Sequence, residues 1–75
     1  MMARGSVSGV ECLSQIELAV LRSVWEGNTH KETAFVLNLS HQQVQHHLRY
    51  AREKVGVACT MVLLRRCLKA GMLEL

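Results

Sequence analysis

The sequence predicts an all-α fold of four short helices, and three observations predict it. Proline is absent from all 75 residues. Three Ser/Thr-x-x-Glu/Gln patterns mark helix starts, and a glycine or asparagine stands where each helical run should end. No alternating strand pattern or internal repeat competes with this reading.

The starts come first in each element. Ser14 with Glu17, Thr29 with Glu32 and Ser40 with Gln43 each fit a capping box, in which the hydroxyl accepts from the amide three residues on and that residue's side chain reaches back to the cap amide. Gly27, Gly56 and Gly71 follow helical runs, where glycine takes the left-handed conformation without a Cβ clash. Asn38, which tolerates that conformation better than most residues, closes the second run. The expected helices span roughly 14–26, 30–37, 41–55 and 60–70, with Thr60 as cap of the fourth.

Apolar spacing supports each element. Ile16, Val20, Leu21 and Val24 share one side of helix 1, and Val44, Leu48, Ala51 and Val55 share one side of helix 3. Helix 2 offers Ala34 and Leu37, with Leu39 in a connector short enough for a helix-turn-helix. Helix 4 carries two apolar stripes, Met61/Leu64/Leu68 and Leu63/Cys67/Ala70, with Arg65, Arg66 and Lys69 toward solvent. Two stripes imply two packing partners: one covers the core, and Leu63, Cys67 and Ala70 are expected to meet a twofold mate. Residues 1–12, without periodicity, are expected to be a flexible arm, and 13–75 the folded domain.

Composition narrows the function. At 49% apolar and 20% charged the chain is too hydrophobic for a disordered tail. A domain of this size buries only about 60% of its unfolded surface, so it needs support from disulfides, a metal or a partner. Cys12, Cys59 and Cys67 cannot all pair within one chain and lack CxxC spacing, so they are expected to be reduced, small buried hydrophobes, and a partner subunit is the expected support. The uncharged stretch 55–64 is short of the roughly 17–25 residues of a spanning helix, and the start lacks a signal-peptide core. A cytoplasmic location is expected. No Gly-rich phosphate loop or paired carboxylates appear, which argues against an enzyme and against a cofactor. His30, His46, His47 and the cysteines lack zinc-finger spacing, so no metal is expected. Net charge is +3, carried by the C-terminal two-thirds, which fits a polyanion partner.

The outward side of helix 3 holds Gln42, Gln43, Gln45, His46, Arg49, Arg52 and Glu53. Glutamine pairs bidentately with adenine, arginine with guanine, and histidine donates or accepts at a base edge or phosphate. A merely solvated face would carry mixed Glu and Lys. Three glutamines together with His41, His46 and His47 suit double-stranded DNA better. These histidines also predict tighter phosphate binding in mild acid, where imidazole gains charge.

Leu13-Ser14, Glu17, Val20-Leu21, Glu26-Gly27, Lys31-Glu32, Ala34, Leu37, Leu39-Ser40, Val44, His47 and Lys54-Val55-Gly56-Val57 together resemble the LuxR/GerE-type helix-turn-helix signature, over residues 13–75. The short chain is similar to stand-alone GerE-type members. The resemblance implies a four-helix domain in which Gln45, His46 and Arg49 read base edges, with Gln42 on the same face. It implies phosphate contacts from Lys31, Ser40, Gln43, His47 and Lys54, and a dimer contact through helix 4. Departures include Thr33 at a usually aliphatic place, Gln45 where a basic residue is common, and Tyr50 where Asn is common. Phe35 and Val36 stand where polar residues are common, offering either a patch for a second protein or a seat for the N-terminal arm. The implied function is a homodimeric, sequence-specific transcription regulator of a bacterial cytoplasm, associated with the nucleoid when it places helix 3 in the major groove of a pseudo-palindromic site. The alternative is a protein-interaction module that pairs with a larger LuxR-type regulator or with RNA polymerase.

Overall fold

The computed structural model describes residues 12–73. They form α1 (Gln15–Trp25), α2 (His30–Leu37), α3 (His41–Val55) and α4 (Thr60–Lys69), with no strand among them. Each helix begins and ends within a residue of its expected bounds. Most of the expected arm, residues 1–11, lies outside the described residues.

All three capping boxes are formed, with Ser14, Thr29 and Ser40 in extended conformation at the N-caps of α1, α2 and α3. The α3 box is representative: the Gln43 amide donates to Ser40 Oγ at 3.0 Å, and the Ser40 amide donates to Gln43 Oε1 at 2.8 Å. α4 departs from this scheme. Its N-cap is Cys59, with no side-chain cap hydrogen bond, and the Thr60 hydroxyl instead accepts from Arg52 Nη1 at 3.0 Å. The expected Thr60 cap is thereby replaced by a tie between α3 and α4.

The four helix ends share one device. An amide reaches back five residues in each: Asn28 to the Ser23 carbonyl, Leu39 to Ala34, Val57 to Arg52 and Met72 to Cys67. That bond needs the preceding residue in the left-handed region. Asn38 (φ 59°) supplies it for α2 and Gly56 (φ 82°) for α3. The turn between α2 and α3 is therefore set by Asn38, Leu39 and Ser40 alone.

α3 packs against each of the other three helices. Its Val44, Leu48, Ala51 and Val55 are buried, as the spacing predicts, against Val20 and Leu21 of α1, Ala34 of α2 and Leu63, Leu64 and Cys67 of α4. Leu13 before α1 and Leu73 after α4 complete the core. On α1 the buried set differs from expectation: Ile16 is exposed, whereas Glu17 and Ser23 are buried. Polar partners explain this. The Lys54 ammonium lies 2.9 Å from Glu17 Oε1, and Ser23 Oγ is 2.8 Å from Thr33 Oγ1 while accepting from Asn28 Nδ2 at 2.9 Å. The hydroxyl of Thr33, fully buried at a usually aliphatic place, is thus satisfied across α1 and α2.

Two further expectations are corrected. Leu63 and Cys67 have no exposed surface, so they cannot form a dimer face; their stripe, together with Leu64, is the side of α4 that covers the core. Ala70 remains exposed, and the apolar surface left on α4 is Met61 and Val62. Of the cysteines, only Cys67 is buried, and burial raises its pKa. Cys12 and Cys59 are exposed.

Candidate nucleic-acid interface

The outward face of α3 follows from its inward one. With Val44, Leu48, Ala51 and Val55 fixed in the core, a helix of about 3.6 residues per turn directs residues 42, 45, 46 and 49 to the opposite side. Gln42, Gln45, His46 and Arg49 are all exposed there and line one shallow groove with His30, Leu48 and Arg52. All four expected base readers therefore come together. No carboxylate belongs to the groove lining among the described residues.

Two of its members are held by an aromatic ring. Tyr50 lies 6.0 Å from the His46 ring, centroid to centroid, and the Arg49 guanidinium carbon stands 5.6 Å from the Tyr50 centroid. Both contacts fall within the usual ranges for aromatic pairs and for a cation over a ring. Tyr50 thus contacts two of the expected base readers at once, which its place in the sequence did not announce. Arg52, bonded to Thr60, closes the far end of the groove against α4.

The residues expected at phosphates lie on the flanks. Lys31 is exposed on the first turn of α2, beside Phe35 and Val36. Ser40 and Gln43 are exposed but engaged in the α3 capping box; the hydroxyl proton and the amide NH₂ remain as donors. His47 is half-buried. Lys54 differs: its ammonium is held by Glu17, whose carboxylate is only 5% exposed. Burial pushes the Glu17 pKa up, but the Ser14 amide and the Lys54 ammonium outweigh it and hold the carboxyl below its ordinary 4.5. Withdrawing Lys54 to a phosphate leaves that buried carboxylate unpaired, which is costly. Lys54 is a strut between α1 and α3, with its side chain 39% exposed beside the reading helix.

His30 was not among the expected DNA contacts. It opens α2 as His41 opens α3, and their ring centroids are 6.0 Å apart, tilted by 59°. Each directly follows an N-cap, but only the crossing of α2 over α3 brings the two starts together.

Among the described residues no set of three or more His, Cys, Asp or Glu is placed to hold a metal ion. No described helix is long and apolar enough to cross a membrane.

Comparison with known proteins agrees with this architecture. The family model for bacterial regulatory proteins of the luxR family, GerE, matches residues 11–66. No curated protein gives a significant match. The matched segment runs from the residues before α1 into α4 and includes the whole of the acid-free groove. The chain therefore belongs to the LuxR family, and its four helices are a GerE-type, DNA-binding helix-turn-helix regulatory domain.

Proposed function

We propose that the domain is a sequence-specific transcription regulator that lays α3 in the major groove of double-stranded DNA as a homodimer on a pseudo-palindromic site. The observation that carries this reading is the gathering of Gln42, Gln45, His46 and Arg49 in one groove whose lining contains two arginines and no acid. These side chains pair with adenine and guanine edges, while Lys31, Ser40, Gln43 and His47 flank them as phosphate donors. The start of α3 adds its free amides to the phosphate contacts. α4 remains the dimer element in this proposal, through the exposed Met61 and Val62 and the end of the helix at Ala70. An electrophoretic shift against genomic fragments at low salt tests the reading. Discrete complexes on a subset of fragments support it; the absence of any shift sinks it.

A second reading is favoured by Phe35, 88% exposed, and its neighbour Val36. In it the domain pairs through α2 with a larger LuxR-type regulator or with RNA polymerase, and contacts DNA weakly. Co-purification from the native cell discriminates: a stoichiometric partner without an independent DNA footprint favours this second reading.

A further inference from the structure

We propose that DNA binding by this domain takes up protons, and that His30 and His41 are the residues that do so, by jointly holding one backbone phosphate at the α2 edge of the groove. The inference rests on the DNA-binding reading and adds His30, which the sequence did not single out for DNA, as the partner of His41. With centroids 6.0 Å apart, both rings are within reach of a single phosphate, each placing an N–H about 2.7–2.9 Å from one of its oxygens. His30 is shared with the groove that holds the base readers, so a phosphate seated here lies beside the bases that α3 faces.

The charges around the pair determine what binding does. Across the groove from α3 come His46, Arg49 and Arg52, all cationic or able to become so. On α2, Lys31 follows His30, and the Glu32 carboxylate is held by the Thr29 amide at 2.7 Å. On α1, Glu17 is held by Lys54. Glu53 lines a different hollow, with Glu17, Tyr50 and Lys54. From the α4 side the exposed Cys59 thiol faces the Val62 and Met61 amides, with Arg52 and Arg65 nearby, and its pKa is lowered. The groove lining beside His30 thus holds no carboxylate, and the nearest acid on α2, Glu32, is engaged by its cap amide. A phosphate between two imidazoles favours their charged forms. By linkage, a group more protonated in the complex than in the free protein makes affinity rise as pH falls through its titration range. Of the three histidines from which the sequence predicts acid-tightened binding, only His46 lines the groove itself; His41 adjoins it through its ring, 6.0 Å from that of His30.

The test uses the full chain and a mixed-sequence duplex of about 30 base pairs, long enough for two half-sites one turn apart. Fluorescence polarisation at constant ionic strength gives the affinity at about pH 8 and about pH 6, spanning the usual imidazole range. Far-UV circular dichroism at both pH values monitors the fold. The expected result is binding about tenfold tighter at the lower pH, which corresponds to an average uptake of about half a proton over these two pH units. His30→Gln combined with His41→Gln should lose most of that change. Cys59→Ser, which removes the thiol near Arg52, should keep it. Equal affinity of the natural chain at both pH values overturns the inference, and so does a pH change that survives in the double histidine variant. Binding at neither pH overturns the DNA-binding reading and this inference with it, whereas pH-independent binding overturns this inference alone.

Discussion

Glu17 and Lys54 are joined across 37 positions of sequence, and the pair ties α1 to α3 behind the reading face. Glu17→Gln keeps the shape and hydrogen-bonding oxygen but removes the charge; it should cost about 1–2 kcal/mol in urea unfolding near neutral pH. Because the folded-state pKa lies below the ordinary 4.5, the carboxylate contributes stability above about that pH and loses it as pH falls through the folded-state value. The difference between natural chain and variant should shrink in acid; a constant difference contradicts the ion-pair account. The buried hydroxyls behave as a unit. Thr33→Val should cost about 1 kcal/mol, and combined with Ser23→Ala should cost less than the two single changes added, by about 0.5–1 kcal/mol. Strict additivity argues against their coupling. On the outward face, Arg49→Ala should cost about 1–3 kcal/mol of binding and relax preference at one base, whereas Lys31→Ala should weaken all duplexes alike and flatten the salt dependence. Equal losses on every sequence for both variants contradict the division into readers and phosphate contacts. The outward placement of Gln42, Gln45, His46 and Arg49 was legible in the sequence because it is what remains after the core positions of α3 are removed. The ion pair of Lys54 was not, since its partner is distant in sequence. His30 and Tyr50 were not, because their roles depend on where neighbouring rings and guanidinium groups fall.

At the scale of the element, α1, α2 and α3 were legible because their starts and stops are written in residues with local chemistry. Gly56 is the clearest stop. It has φ 82°, and a Cβ built there meets nothing within 4 Å, so Gly56→Ala isolates the backbone cost of the left-handed conformation. That cost should be about 1–2 kcal/mol in urea unfolding. A neutral result means that the end of α3 rearranges. α4 was legible as a helix but not in its orientation. Periodicity shows which residues share a stripe without saying which stripe meets the core, and α4 has leucines in both. The choice is made by α3, whose packing against α4 takes up Leu63, Leu64 and Cys67 and leaves Met61 and Val62 outside. Thr60 was misread for a related reason. A threonine at a helix start is a good cap, but here the start lies beside Arg52, and the hydroxyl accepts from that guanidinium instead.

At the scale of the whole molecule, one helix does two jobs with opposite faces. The inner side of α3 is shared with all three other helices, which makes it a firm platform for the outer side. The start of α2 lies beside the start of α3, and the groove between them gathers glutamine, histidine and arginine side chains without an acid among them. The net charge is a modest +3, but its distribution favours a polyanion here, since no carboxylate lines the groove and Glu17 is paired with Lys54. On this reading the groove recognises base sequence in duplex DNA. Selection of bound duplexes from a random pool tests it most directly. The recovered motif should consist of two inverted half-sites about one helical turn apart, with adenine and guanine preferences that change when Gln45 or Arg49 is replaced. Recovery of no enriched motif, or of a motif that is unaffected by both replacements, would contradict it.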